Sequence, residues 1–402
     1  MLEIWLIEAV KGIGRFFSNP LLYWTFLLFI LTGYRRIRRE RFQFGTKLYS
    51  LFAEGRRTFT ISFLFSIILS ALALLFGIVI SVETIIVLTI VMILLSILGS
   101  TTMLSASYTI GITFLLLLVL PFIQLDMFGS YVNFGNTSAI YFICLAIIMG
   151  LFLLVEALLV GSQKHQQTFP YLSLSERGVW IGNHELKRLA FIPFFTLLPI
   201  DAVSGIAPFF PYFEYGGQTF SLILIPFFIG YQYSVRGELP HHAAYRLGQA
   251  TLLLSLLVLF IALGSLFLPY LSFVAIIVGI VGKEWIMYQN RMRNKKHPAL
   301  FTPLNKGIKV LAMIPDSPAD RLGILVGETI LKVNGRYVIN SNQFYEALQN
   351  SGAFFKLDVI DINGEIRFIN SPFYEEDHYE LGIIFPESPA LEQRATLLAK
   401  TN

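Results

Sequence analysis

Through the first 290 residues, long apolar runs alternate with short polar or basic breaks; beyond residue 306 the period shortens to that of strands and turns. Runs at 21–34, 58–80, 85–104, 108–124, 138–160, 189–210, 219–234, 249–268 and 271–288 mostly approach the roughly 20 apolar residues a helix needs to cross a bilayer. They predict nine spans, or eight if residues 1–34 are re-entrant or interfacial. Residues 1–17 mix Leu2, Trp5, Leu6, Ala9, Val10, Ile13 and Phe17 with Glu3, Glu8, Lys11 and Arg15, the pattern of an amphipathic interfacial helix. The run at 189–210 is interrupted by Pro193, Pro199 and Pro208.

The C-terminal part reads differently. Residues 307–314 alternate as a half-buried strand does. Pro315-Asp316-Ser317-Pro318 breaks the strand, and Asp316 or Ser317 can cap a short helix opened by Pro318. A second strand at 329–333 leads into Asn334-Gly335, a strong hairpin signal. Asn340 or Ser341 caps a helix at 342–349; strands follow at 354–360 and 365–370 around Asn363-Gly364, and a last strand at 379–385. The succession G-I-x-V, S-P-A, G-I and G-E-x-I-L-x-V-N-G between Gly307 and Val338 resembles the PDZ domain family. That resemblance implies an α+β fold, a partly open β-barrel with two helices, which binds peptides by strand addition. The apolar-Gly-apolar loop that holds a terminal carboxylate in the family stands at the far end here, as Leu381-Gly382-Ile383, so the resemblance is to circularly permuted forms. It implies a groove between Leu381, Gly382, Ile383 and Ile384 on one wall and Phe344, Ala347 and Leu348 on the other, with Gly382 admitting close backbone approach. The alternative is that Leu381 and Ile383 are core residues of a closing strand. Glu328 stands where the family often has Asp.

Composition supports a membrane base. Hydrophobic residues make up 55% of the 402 and charged residues 14%, against about 25% in soluble chains. The net charge of +4 lies in breaks between apolar runs, which argues against a nucleic-acid partner. Arg35–Arg41 with Lys47, Arg56 and Arg57, then Lys164, Arg177, Lys187 and Arg188, then Arg236 and Arg246, then Arg291, Arg293, Lys295 and Lys296 all fall in alternate breaks. The intervening ones lack Lys and Arg, which predicts a cytoplasmic C-terminal module. The Arg35–Arg41 run can also hold anionic lipid of the bilayer. The expected domains are a polytopic α-helical membrane domain at 1–290, a basic linker at 291–306, the PDZ domain at 307–386 and a tail at 387–402. The first residues lack the layout of a secretory leader. Cys144 is the one cysteine, so no internal disulfide and no cysteine-based zinc site is expected.

Chemistry is sparse. His184-Glu185-Leu186-Lys187-Arg188 has Arg where a zinc-binding H-E-x-x-H helix needs its second His, and His241-His242 are adjacent. No G-x-S-x-G elbow occurs. No catalytic residue, metal site or cofactor is expected, and His165, His184, His241, His242, His297 and His378 all fall in predicted loops. Glu156 and Asp201 lie in or near spans, where ionisable groups are candidates for transport; otherwise Glu156 reaches the interface and Asp201 caps a broken helix.

A polytopic base of this size with one C-terminal cytoplasmic PDZ domain resembles the MinJ-like family of cell-division topological determinants. The short first span before Arg35–Arg41, the Arg177–Gly182 stretch and the PDZ segment ending in Leu381-Gly382-Ile383 carry the resemblance. It implies a non-enzymatic scaffold at the cell membrane, enriched at division septa and poles. There it would bridge a DivIVA-like polar marker to the MinCD inhibitor through a MinD-like partner. The rival readings are a PDZ-regulated membrane transporter and an adaptor for a membrane protease.

Overall fold

The computed structural model describes residues 2–56, 58–98, 100–122, 126–127, 130–131, 138–163, 168–203, 219–351, 354–372 and 381–387. The expected loop at 211–218 and the tail beyond Glu387 lie outside them.

Helices α1 (Leu2–Ser18) and α2 (Pro20–Phe44) meet at a 54° bend. Asn19 makes the bend: its side chain accepts the Leu21 N–H at 2.9 Å, and Pro20 opens α2. The amphipathic character of α1 is as expected, but its polar edge is turned inward. Glu8 is buried and accepts from Ser221 and Lys11, and Arg15 donates to the Leu222 carbonyl, while Leu6, Ile7, Val10 and Phe17 face outward.

The helical base continues with α3 (Ala53–Arg56), α4 (Phe59–Leu75), α5 (Val82–Ile97), α6 (Ala106–Val119) and α7 (Ala139–Gly161), with a small hairpin of β1 (Asp126–Met127) and β2 (Ser130–Tyr131) before α7. After β3 (Phe169–Leu174), β4 (Trp180–Val203) and β5 (Phe220–Val235) come α8 (Pro240–Gly264) and α9 (Leu271–Lys296). By length and apolarity α7, α8 and α9 can each cross a membrane, and the α1–α2 pair adds a fourth if it counts as one bent span; α4, α5 and α6 are apolar but shorter. Phe63 and Ile67 on α4, Leu253 and Phe260 on α8, and Val281 on α9 point outward. An exposed apolar belt of this kind is what a lipid-facing surface requires. These features identify a membrane protein.

The α-helical reading of 189–210 and 219–234 is corrected: their described residues 189–203 and 220–234 belong to β4 and β5, and 204–210 lie outside the described residues. They form a long antiparallel ladder from His184↔Val235 to Leu198↔Ser221, with β3 adding a third strand at the Trp180–Glu185 end. The apolar run misled because much of each strand is buried on both faces, so alternation is lost. Helix α4 packs against β4 and α1 against β5. Leu186, Ile192, Leu197, Phe227, Phe228 and Ile229 are all buried. Asp201 belongs to β4 by backbone, and its side chain lies outside the described residues.

The C-terminal module is built from β6 (Ile308–Lys309), β7 (Ala312–Met313), α10 (Pro318–Arg321), β8 (Thr329–Val333), β9 (Arg336–Tyr337), α11 (Ser341–Gln349), β10 (Phe354–Ile360), β11 (Ile366–Pro372) and β12 (Ile383–Ile384). One sheet has the order β11-β10-β8-β6, with β9 on β8; β12 pairs with β7 in a second. The caps are those the sequence predicts: Ser317 accepts from Asp320 N and Asn340 from Gln343 N. Asn334 and Gly335 both take positive φ, 49° and 82°, closing the β8–β9 hairpin. The first predicted strand is split into β6 and β7, which serve the two different sheets.

The stretch expected as a linker is structured. Helix α9 runs to Lys296, and Phe301 is buried in the module's core beside Leu172 and Trp180 of the base. Gly182 N donates to Phe301 O at 2.9 Å. A Cβ on Gly182 would lie 2.6 Å from Leu311 Cδ1 and 2.9 Å from Phe301 Cβ, so only glycine permits this approach.

Candidate functional site

The seven residues expected to form a groove come together at β12 and α11. Strand β12 pairs antiparallel with β7, Ile383 opposite Met313 and Ile384 opposite Ala312. The Leu311 and Ile314 N–H groups donate to Ile384 O and Gly382 O, both at 2.8 Å, and Ala319 N donates to Leu381 O at 3.0 Å. Gly382 has φ +80°, and a Cβ there would lie 2.4 Å from Ser317 Cβ. Glycine is therefore required both by backbone conformation and by space.

Leu381, Ile383, Phe344, Ala347 and Leu348 are buried in the module's single apolar cluster, with Ile384 packed against it. They form the core beneath the β12–α11 seam. The residue on the seam itself is Tyr345. Since Gly382 O and Ile384 O point to β7, the Ile383 carbonyl points away from it, toward α11. The Tyr345 hydroxyl donates to that carbonyl at 3.2 Å. Phe385 closes the same seam, its ring 5.0 Å from Phe344 and 6.3 Å from Tyr345. A Tyr next to Phe344 on a short amphipathic helix was the available sequence signal, and in the structure it is half-buried. Glu328, the departure from the family pattern, is buried; it accepts the Leu325 N–H at 2.9 Å and an Arg367 N–H at 2.7 Å, bracing the turn before β8.

Beside this seam a cleft of about 640 Å³ separates module and base. Pro315, Asp316 and Asp320 line the module side, and Lys47, Arg56 and Arg188 the base side.

Two buried ionic clusters join elements of the base among the described residues. In the first, Lys283 on α9 donates to Glu156 on α7 and to the Tyr233 hydroxyl of β5 at 2.7 Å; Ser105 donates to the other Glu156 oxygen at 2.6 Å. Glu156 and Lys283 are both fully enclosed. Glu156 therefore does not reach the interface. Lys283, hidden in the apolar run at 271–288, was missed. In the second cluster Arg36 on α2 donates to Glu40 at 2.6 Å and Glu54 at 2.9 Å, and Glu40 accepts the Leu48 N–H, which folds the 45–53 loop back on α2. Arg39 pairs with Glu185 at 2.6 Å. Of the arginines within Arg35–Arg41, Arg35, Arg38 and Arg41 are exposed, Arg39 is half-buried and Arg36 is buried.

His184 is not in a loop. It is buried in β4, bonded through Nδ1 to Thr168 Oγ1 at 2.8 Å, with its ring 5.0 Å from that of Phe301. Burial pushes its pKa down to about 3, against a smaller opposing contribution from the Leu311 backbone. His241 and His242 sit in the first turn of α8; His165 and His378 lie outside the described residues. Among the described residues no group of three His, Cys, Asp or Glu side chains is positioned to hold a metal ion.

Comparison with known proteins adds whole-length information. A PDZ domain family model matches residues 309–359. The cell division topological determinant MinJ of Bacillus subtilis is 31% identical over 382 residues, covering 95% of this chain and 96% of that protein. A probable cell division topological determinant MinJ of Lacticaseibacillus paracasei is 23% identical over 61% of this chain and 66% of its own. The serine protease HTRA3 of Rattus norvegicus is 36% identical, but over only 18% of this chain and 16% of its own length. No solved structure gives a significant match.

Proposed function

This chain belongs to the MinJ family of cell division topological determinants, and from that premise we propose that it is a non-enzymatic membrane scaffold in bacterial division-site selection. Similarity along nearly the whole length of the Bacillus protein, base and module together, carries this reading. The base anchors the protein in the cell membrane as a multi-pass domain, and the module works on the cytoplasmic side. The bridge it makes is between a DivIVA-like polar marker and the MinCD inhibitor, with enrichment at septa and poles.

The module is read as a circularly permuted PDZ fold. Its β12 begins within the Leu381-Gly382-Ile383 stretch and pairs with β7, and α11 faces it, which supports a peptide-binding seam at this location. Because Tyr345 already satisfies the outward Ile383 carbonyl, an incoming strand must displace its hydroxyl. The protease-adaptor alternative draws only on a module-length likeness to HTRA3.

The test is a fluorescent fusion imaged in dividing rods, with and without residues 300–387. Scaffold function requires septal and polar enrichment of the full chain and misplaced septa without the module. Uniform membrane fluorescence with normal septa after deletion would sink the reading.

A further inference from the structure

The arginine-rich half of α2 divides its cations between two faces. Arg36 and Arg39 turn toward the base, and the acids within reach are spent on them: Glu40 and Glu54 on Arg36, Glu185 on Arg39. Arg35, Arg38 and Arg41 are exposed, and none of the three has an ion pair among the described residues. Their face is the one that α2 turns outward in its apolar half. Tyr23, Phe26, Ile30 and Tyr34 are exposed there. Positions 23, 26, 30, 34, 38 and 41 succeed one another at intervals of three or four, which makes a single stripe along a helix. Arg35 stands at its margin. The opposite stripe, with Leu21, Leu28, Thr32 and Arg36, is buried.

The outward stripe passes from apolar residues to arginine at Tyr34, and it carries no acid. Along the axis Arg38 lies about 6 Å and Arg41 about 10 Å beyond Tyr34, while the headgroup layer is about 5–8 Å deep. Tyr at such a junction anchors a helix at headgroup level. The elements packed on α2 bring no competing acid. Glu3 and Glu8 of α1 precede the bend, Glu83 is at the far end of α5 from the Ser96 that Trp24 meets, Glu54 of α3 is buried on Arg36, and β3 and β5 have none. Lys47 and Arg56 belong instead to the cleft, where Asp316 and Asp320 stand opposite them.

We propose that Arg35, Arg38 and Arg41 form a binding face for the phosphate groups of anionic phospholipids in the leaflet from which α2 emerges. A stripe that meets acyl chains before Tyr34 meets headgroups after it, so its continuity selects lipid over an acidic protein segment. Guanidinium groups can donate bidentately to phosphate oxygens, and their long stems let them reach along the helix to headgroup level. The site requires the base to lie in a membrane but not the partners proposed above, whose loss shows in septum placement and not in lipid labelling.

The experiment reconstitutes the full chain in phosphatidylcholine bilayers that contain the same mole fraction of a photoactivatable phosphatidylglycerol or of a photoactivatable phosphatidylcholine, and maps the labelled peptides by mass spectrometry. Phosphatidylglycerol should label residues 34–42 at least about fivefold more than phosphatidylcholine does, the effect of one arginine near an anionic surface. The ratio should fall to near one in an Arg35→Gln/Arg38→Gln/Arg41→Gln variant and persist in Arg35→Lys/Arg38→Lys/Arg41→Lys, which keeps the charge. Equal labelling of the wild-type chain by the two lipids would overturn the proposal without recourse to any variant. A preference that survives the glutamine variant, or one that disappears in the lysine variant, would do the same. So would a protein adduct in place of a lipid adduct at a photo-cross-linking amino acid placed at Phe42 in living cells.

Discussion

Lys283→Met should be among the most damaging single substitutions in the base. The wild-type pair is fully enclosed, and Glu156 draws bonds from Lys283 and Ser105 only across the junction of α7, α9, β5 and the turn before α6. Removing Lys283 leaves a buried carboxylate with one hydroxyl donor, and breaking one side of such a pair costs about 3–5 kcal/mol. Glu156→Leu strands the ammonium in the same way, with only the Tyr233 hydroxyl left to it. The double variant Glu156→Leu/Lys283→Met removes both charges. It leaves the Ser105 and Tyr233 hydroxyls to find new partners, at about 1 kcal/mol each, so it should fall within about 2 kcal/mol of wild type. The resulting coupling is about 4 kcal/mol or more, beyond the usual range for contacting residues. Equilibrium unfolding in detergent, followed by far-ultraviolet circular dichroism for all four proteins, measures it. Additive losses, or single variants within about 1 kcal/mol of wild type, would refute a structural clamp. A stable Glu156→Gln protein that loses an ion flux would revive the transport reading.

Three further outcomes follow from the module and its seat. His184 has a folded pKa of about 3, below its ordinary 6.5, so its contribution is complete above about pH 6.5 and is lost as pH falls toward 3. The loss is about 2 kcal/mol by pH 5 and should appear as faster hydrogen exchange at Gly182, and His184→Asn should flatten the dependence. Gly182→Val drives a side chain into Leu311 and Phe301 and should release the module from the base, read as new protease cleavage between residues 296 and 307 with the base still folded; an unchanged digest would refute the packing. Gly382→Ala strains a residue at φ +80° and meets Ser317, so it should cost the module more than about 1 kcal/mol, whereas Tyr345→Phe removes one hydrogen bond and should cost about 0.5–1.5 kcal/mol in thermal melts.

The module was legible because its signals are local. Ser317, Asn340 and Asn334-Gly335 act within a few residues, and each does in the structure what its chemistry predicts. The residues expected to line a groove do lie together at the β12–α11 seam, but which side chains face outward there was not legible. Leu381 and Gly382 lead into the two-residue strand Ile383–Ile384, whose partner, β7, is some 70 positions earlier in the chain, and that pairing decides that Tyr345 rather than Phe344 meets the Ile383 carbonyl.

The base was misread where two burial modes give the same pattern. A helix facing lipid all round and a strand buried on both faces are both continuous apolar runs. Length is the usual arbiter, yet β4 spans 24 residues, longer than many transmembrane helices. The prolines held the information. Pro193 stands opposite Pro226 where β4 has only β5 beside it, beyond the end of β3, and a strand tolerates proline best where one side is unpaired. Read as a broken helix, the same stretch left Asp201 as either a transport candidate or a helix cap. The charge that is sealed inside the base is Lys283, at a position where the surrounding residues read as one more span. A lysine within such a run calls for a buried acid to match it, and Glu156 is that acid; seeking the partner of each intramembrane charge would have joined α7 to α9 from sequence, whereas weighing each charge alone did not.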